Sequence, residues 1–129
     1  MTIKIGVRGY AQTIVTVSNT AKSMGSGNLE VFATPSMVAL MEQAAVNALE
    51  LSDDQSSVGT SLNITHSAAT ALGVKISATA ELIEIDRRRL VFSVEASDEA
   101  GQIGVGKHER FIIDQEPFLN KVKNRNQRL

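Results

Sequence analysis

The chain has 129 residues, 43% of them hydrophobic and 21% charged, with a formal net charge of -1. These values fit one globular domain without the basic excess that draws a protein to nucleic acid or an anionic membrane. It has no cysteine, which removes disulfides, thiolate metal sites and a cysteine nucleophile. MTIKIGVRGY has no apolar signal-peptide core and no apolar run is long enough to span a bilayer, so a cytoplasmic protein without a membrane partner is expected. Aromatic residues make up only 4%, too few for the stacking platforms that bind single-stranded nucleic acid.

In chain order, residues 3–17 alternate loosely and are rich in β-branched types, which predicts a first strand. SNTAKSMGSGN follows, a Ser/Gly/Asn-rich connection that suits either a mobile loop over a cleft or a plain linker. Residues 35–51 form the one strong helix. Thr34 is placed to act as its N-cap, with Pro35 at the first helical position. Met37, Val38, Leu40, Met41, Ala44, Ala45, Val46, Ala48 and Leu49 point nearly all round it, so a helix buried on most sides is expected. Residues 57–66 read as a strand with Leu62 and Ile64 on one face. Residues 73–86 alternate cleanly through Ile76, Ala78, Ala80 and Leu82, then slip phase at Ile83 and Ile85, which predicts a bulge or bend. Arg87–Arg89 reads as a turn, and Leu90, Phe92, Val94 and Ala96 as the next strand face. SDEAGQ is a hairpin turn, and residues 102–113 form a last strand whose Gly104 and Gly106 leave room against the backbone. Residues 118–129 form a basic tail with Lys121, Lys123, Arg125 and Arg128.

This order gives an α+β chain, a single domain over residues 1–129. A helix that is apolar nearly all round needs a sheet wrapped about it. A curved antiparallel sheet of about five strands around one central helix is the hotdog architecture, and the edge strands of so small a domain favour a homodimer.

The polar candidates in apolar surroundings are Thr34, Glu42, Asn63, His66, His108 and Arg110. Glu42 shares its helix face with Val38, Val46 and Leu49. A carboxylate there is expected to lose hydration, and serves either acid–base chemistry or a structural bond across a subunit interface. His66 ends a strand with an apolar inward face. His108, flanked by charges in GKHERF, reads as a half-exposed strand residue. Neither HxxxH nor HExxH is present, so no metal site is expected. GxSxG, GxxxxGK[ST] and a Rossmann GxGxxG are also missing. Capping explains Thr34, although a helix N-terminus also suits the negative charge that develops in acyl transfer. Thr34 and Glu42 lie about 12 Å apart along a straight helix. To serve one substrate they need a bridging group or a second chain.

ATPSMVALMEQAA, then VGTSLNITHSAATALGVKISATAEL and GKHERFII, resemble the fluoroacetyl-CoA thioesterase-like branch of the hotdog superfamily over roughly residues 10–113. The resemblance implies a homodimer that hydrolyses acyl-CoA thioesters without a cofactor. By position it implies Thr34, Glu42 and His66 as catalytic residues, the Gly59 N–H near the thioester, and Arg110 as the late-strand arginine. Glu42 would activate water or attack the carbonyl to give a mixed anhydride, and His66 would move protons. The branch's fluoroacetate-specific member has an aromatic gate near the start of the central helix. SMGSGNLEVF supplies only Phe32 there as a substrate-binding residue, so a general short-chain acyl-CoA is the expected substrate. The basic tail and Arg87–Arg89 are candidates for CoA phosphates. The competing readings are a non-catalytic acyl-CoA or acyl-carrier binding protein and a hotdog hydratase. The hydratase pattern of Asp and His about five residues apart is not visible around either histidine.

Overall fold

The computed structural model describes residues 3–127. Five strands form one antiparallel sheet: β1 (Arg8–Ile14), β2 (Gln55–His66), β3 (Lys75–Asp86), β4 (Arg89–Asp98) and β5 (Gly101–Asp114). Their spatial order is β1-β3-β4-β5-β2, so the two strands that flank the central helix in sequence lie at opposite edges. The helices are α1 (Ala21–Met24), α2 (Thr34–Asn47) and α3 (Gln115–Asn126). The α+β hotdog arrangement expected from the sequence is the one observed.

The alternation read in β3 is real. Ile76, Ala78, Ala80 and Leu82 are buried, and the residues from Ile83 onward are exposed. The register against β4 shifts between Leu82 and Glu84, where the phase slip predicted a bulge. From β4, Leu90, Phe92, Val94 and Ala96 join the same core and meet Met37, Met41, Ala44 and Ala45 of α2. Each large side chain buried there contributes about 1.5–3 kcal/mol. Small residues set the helix height above the sheet. Gly9, the one buried position of β1, lies beneath the Ala44 carbonyl and the Ala48 N–H. On β5, the space a Gly104 side chain would take is filled by the Met37 thioether, as the glycine pattern suggested.

Several expectations are corrected. The helix starts one residue earlier than read: Ala33 is the N-cap and Thr34 is the first helical residue, which frees its hydroxyl from capping. It ends at Asn47 rather than at residue 51. Only one side of α2 meets the sheet, so Val46 is exposed in the single chain instead of being buried, as is its neighbour on the open side, Ala39. The first strand is short, because a turn at Gly6, with φ 95°, precedes it and a 3-10 turn over Val17–Asn19 follows. The Ser/Gly/Asn-rich connection is folded. Thr20 caps α1, Gly25 ends it with φ 74°, and the Ala21 and Lys22 amides donate back to Val31 and Leu29. The turn between β3 and β4 is confined to Arg87 and Arg88, with Arg87 at φ 57° and Arg89 already in β4. The basic tail forms α3 as far as Asn126. Pro117 sits in its first turn and Lys123 and Arg125 in its last, both favourable placements. Residues 128 and 129, including Arg128, lie outside the described residues.

Edge strand β2 has 12 residues and not one is buried. It pairs with β5 on one side only. An open edge this long is a template for another chain.

Candidate active site

Thr34, Val38 and Glu42 are spaced by four residues along α2 and so form one stripe of the helix. The stripe touches β2 at two places. At its start, Thr34 Oγ1 lies 2.7 Å from His66 Nδ1, a hydroxyl–imidazole hydrogen bond at the last residue of β2. His66 Nε2 is buried and has no partner among the described residues. A buried ring nitrogen left unpaired is costly unless another group completes it. The pair opens on a cleft of about 270 Å³ bordered by Ala21, Ser26, Phe32, Ser67 and Ala68. Phe32 is 1% exposed. It is a core residue that also borders this cleft.

At the other contact, Glu42 meets Gly59. A Cβ on Gly59 would stand 2.8 Å from Glu42 Oε2, 3.3 Å from His108 Cε1 and 3.4 Å from Arg110 Nη1. The missing side chain is what lets the carboxylate reach the strand. Gly59 lies opposite Arg110 in the ladder between β2 and β5, and Arg110 Nη1 is 3.7 Å from Glu42 Oε2. The Glu42 side chain is 41% exposed. The expectation of a carboxylate that loses its hydration is therefore corrected for the single chain: Glu42 sits at the margin of the α2–sheet contact, half-buried.

His108 is also corrected. It is 1% exposed, not half-exposed. Gly104, Gly106, His108, Arg110 and Ile112 alternate along β5 and share the face turned toward α2. His108 Nδ1–H donates to the Ser61 carbonyl at 2.8 Å, and Nε2 accepts from Arg110 Nη1 at 3.1 Å. Burial, the largest influence, holds the imidazole below the usual histidine range. The Ser61 bond opposes this and the Arg110 cation adds to it. Burial likewise lowers the Arg110 pKa, against the pull of the Glu42 carboxylate. Arg110 is the one charged side chain buried among the described residues.

Five sequence candidates thus fall into two groups on one helix stripe: Thr34 with His66, and Glu42 with Gly59 and Arg110. A single chain does not bring the groups together. Asn63 is exposed on β2. Arg87, Arg88 and Arg89 each face a surface carboxylate: Asp86, Asp114, and both Glu84 and Glu109, respectively. Among the described residues no three metal-ligating side chains come together, and no helix is long and apolar enough to cross a membrane.

A curved antiparallel sheet over one central helix is the hotdog architecture. A thioesterase superfamily member from Thermus thermophilus superposes with a TM-score of 0.87 at 27% identity, over 99% of this chain and 98% of its own. A family model described as fluoroacetyl-CoA-specific thioesterase matches residues 15–116, and the chain belongs to that family. It is 45% identical over 98 residues to a fluoroacetyl-CoA thioesterase of Streptantibioticus cattleyicolor, covering 74% of this chain and 70% of that one. A structure of the fluoroacetyl-CoA thioesterase FlK superposes with a TM-score of 0.89 at 36% identity, over 96% of this chain and 98% of the other.

Proposed function

We propose that this chain hydrolyses short-chain acyl-CoA thioesters to the free acid and CoA, at a site built from Thr34, Glu42 and His66 across a homodimer interface. The observation that carries the reading is the 2.7 Å Thr34–His66 pair opening on a small cleft. An imidazole hydrogen-bonded to a hydroxyl is an arrangement that moves protons during acyl transfer. At about 270 Å³, the cleft lies just under the range of pockets for drug-sized ligands, which suits a short acyl group.

In this reading Glu42 drives the attack on the thioester in one of two ways. It takes a proton from water, which adds to the thioester carbonyl, or it attacks the carbonyl itself to give a mixed anhydride that water then cleaves. In either route the C–S bond breaks and His66 gives a proton to the CoA thiolate, recovering one from the water that supplies the acid's new oxygen. Thr34 orients His66 and the substrate. Gly59 lets the carboxylate approach the strand, and its N–H is a donor for the oxyanion. Arg110 faces the carboxylate. Water is the only co-substrate required, with no metal or cofactor.

The separation of the two groups supports the dimer. Two β2 edges can pair antiparallel about a two-fold axis. A register that sets Gly59 of one copy opposite His66 of the other places that axis between Leu62 and Asn63. Each site then takes its Thr34 and His66 from one copy and its Glu42 from the other. Ala39 and Val46, exposed in the single chain, and half-buried Val38 gain a partner surface. A CoA substrate also fits the cytoplasmic setting expected from the sequence. With Arg87–Arg89 already facing carboxylates, Lys121, Lys123 and Arg125 of α3 are the better candidates for CoA phosphates.

Thiol release from acetyl- through decanoyl-CoA, with fluoroacetyl-CoA included, tests the reading. Turnover falling off with chain length is expected. Acyl-CoA binding without thiol release from any substrate would make this a binding protein and reject the enzyme.

A further inference from the structure

A buried arginine on a β-strand must have its donors satisfied in place, and at Arg110 the partners can be followed one by one. Nε donates to Ser57 Oγ at 2.8 Å and Nη2 to the Ser57 carbonyl at 2.9 Å. Nη1 donates to His108 Nε2 at 3.1 Å. The same nitrogen, with a second N–H, lies 3.7 Å from Glu42 Oε2. Two contacts to Ser57 fix one side of the guanidinium plane. The His108 contact fixes the other side, next to Glu42.

His108 accepts at Nε2 only because its proton is on Nδ1, and the Ser61 carbonyl, a pure acceptor 2.8 Å away, holds it there. The ring is enclosed, with the Phe92 ring at a centroid distance of 6.4 Å and tilted by 30°. A rigid neutral acceptor suits this position. A carboxylate here would pair with Arg110 outright and draw it away from Glu42.

We propose that His108 is a positioning residue for hydrolysis: a neutral imidazole, locked as the Nδ1–H tautomer by Ser61, whose Nε2 lone pair holds the Arg110 guanidinium on the Glu42 carboxylate. This rests on Glu42 being the reacting carboxylate. His108 itself touches no reacting atom and acts through Arg110.

Three variants and one spectrum test it. His108→Leu keeps the volume and removes the acceptor. It is expected to lower kcat by about 10- to 100-fold, the scale for losing a partner that orients a reacting group, with KM changed less than about twofold. His108→Gln offers both an acceptor and a donor, and is expected to restore most of kcat. In an Arg110→Gln background, His108→Leu is expected to cost nothing further, because the two residues act as a unit. Equal losses in the Leu and Gln variants, or the same His108→Leu penalty with and without Arg110, would overturn the proposal. Nitrogen-15 spectra of the wild-type imidazole give a readout independent of turnover. A bare Nε2 and a protonated Nδ1 are expected, with the Nε2 signal moving in Arg110→Gln. The Gln variant and the spectrum decide the matter if His108→Leu fails to fold. Normal turnover with a protonated Nε2 overturns the positioning role alone. The expected spectrum in a protein that releases no thiol overturns the hydrolase reading on which the role depends.

Discussion

Glu42→Gln is expected to lower kcat for acyl-CoA hydrolysis by about 10³-fold, within the span that general-base or nucleophilic groups supply. The amide keeps the shape of the side chain and an oxygen facing Arg110, so the fold and the dimer should persist in size-exclusion chromatography and circular dichroism. Only the charge and the reactive oxygen are lost. If Glu42 were merely a structural partner of Arg110, the outcome would be different. Their separation is 3.7 Å with the carboxylate 41% exposed, and an ion pair of that kind contributes at most about 1 kcal/mol. The variant would then turn over like the wild type and be slightly less stable.

Gly9→Ala is expected to destabilise the fold by about 3 kcal/mol, the upper part of the range for forcing one extra carbon into a packed interior. The new Cβ would press on the Ala44 carbonyl, with the Ala48 nitrogen at 2.5 Å and its Cα at 3.0 Å. All three are backbone atoms of the helix region, so no side chain can swing aside. Either α2 lifts from the sheet, opening the contacts of Met41 and Ala44, or β1 detaches from β3. Urea unfolding followed by circular dichroism measures this as a lower midpoint at unchanged slope. A midpoint equal to that of the wild type would show that the helix sits less tightly on β1 than the structure indicates.

Much of the fold was legible because its sequence signals are local. The Thr-Pro start located α2 to within a residue. The strict alternation through Ile76, Ala78, Ala80 and Leu82 located β3, and its interruption at Ile83 located the bulge. What the sequence obscured depends on which side of an element another element covers. Apolar residues all round α2 suggested burial on most sides, but the sheet meets one face only. Val46 and Ala39 therefore stay exposed, and Glu42 stays half-buried beside them. His108 was obscured by its neighbours Lys107 and Glu109, which suggest solvent. The period of two from Gly104 through Gly106 leads straight to His108, Arg110 and Ile112, and would have placed the histidine inside. The helix over Gln115–Asn126 was obscured because Phe118, Leu119 and Val122 are too few for an apolar period.

Of the candidate site, Thr34, Glu42, His66, Gly59 and Arg110 were all in view from the motifs. The direct Thr34–His66 bond was not, because capping already explained Thr34. Only the structure shows that Ala33 caps the helix and that the hydroxyl is free for the imidazole. The distance between Thr34 and Glu42 was legible from helix geometry, and it raises the central question of which chain supplies which half of a site.

Subunit complementation answers that question most directly. Glu42→Gln and His66→Ala chains, each inactive alone, are co-expressed with two different tags and assayed for thiol release. With Thr34 and His66 drawn from one copy and Glu42 from the other, each mixed dimer holds one doubly damaged site and one intact site. Random pairing should then restore about one quarter of wild-type activity, since half the dimers are mixed. Activity no higher than that of the two parents would mean that each site takes all its residues from one chain, and would contradict the shared site.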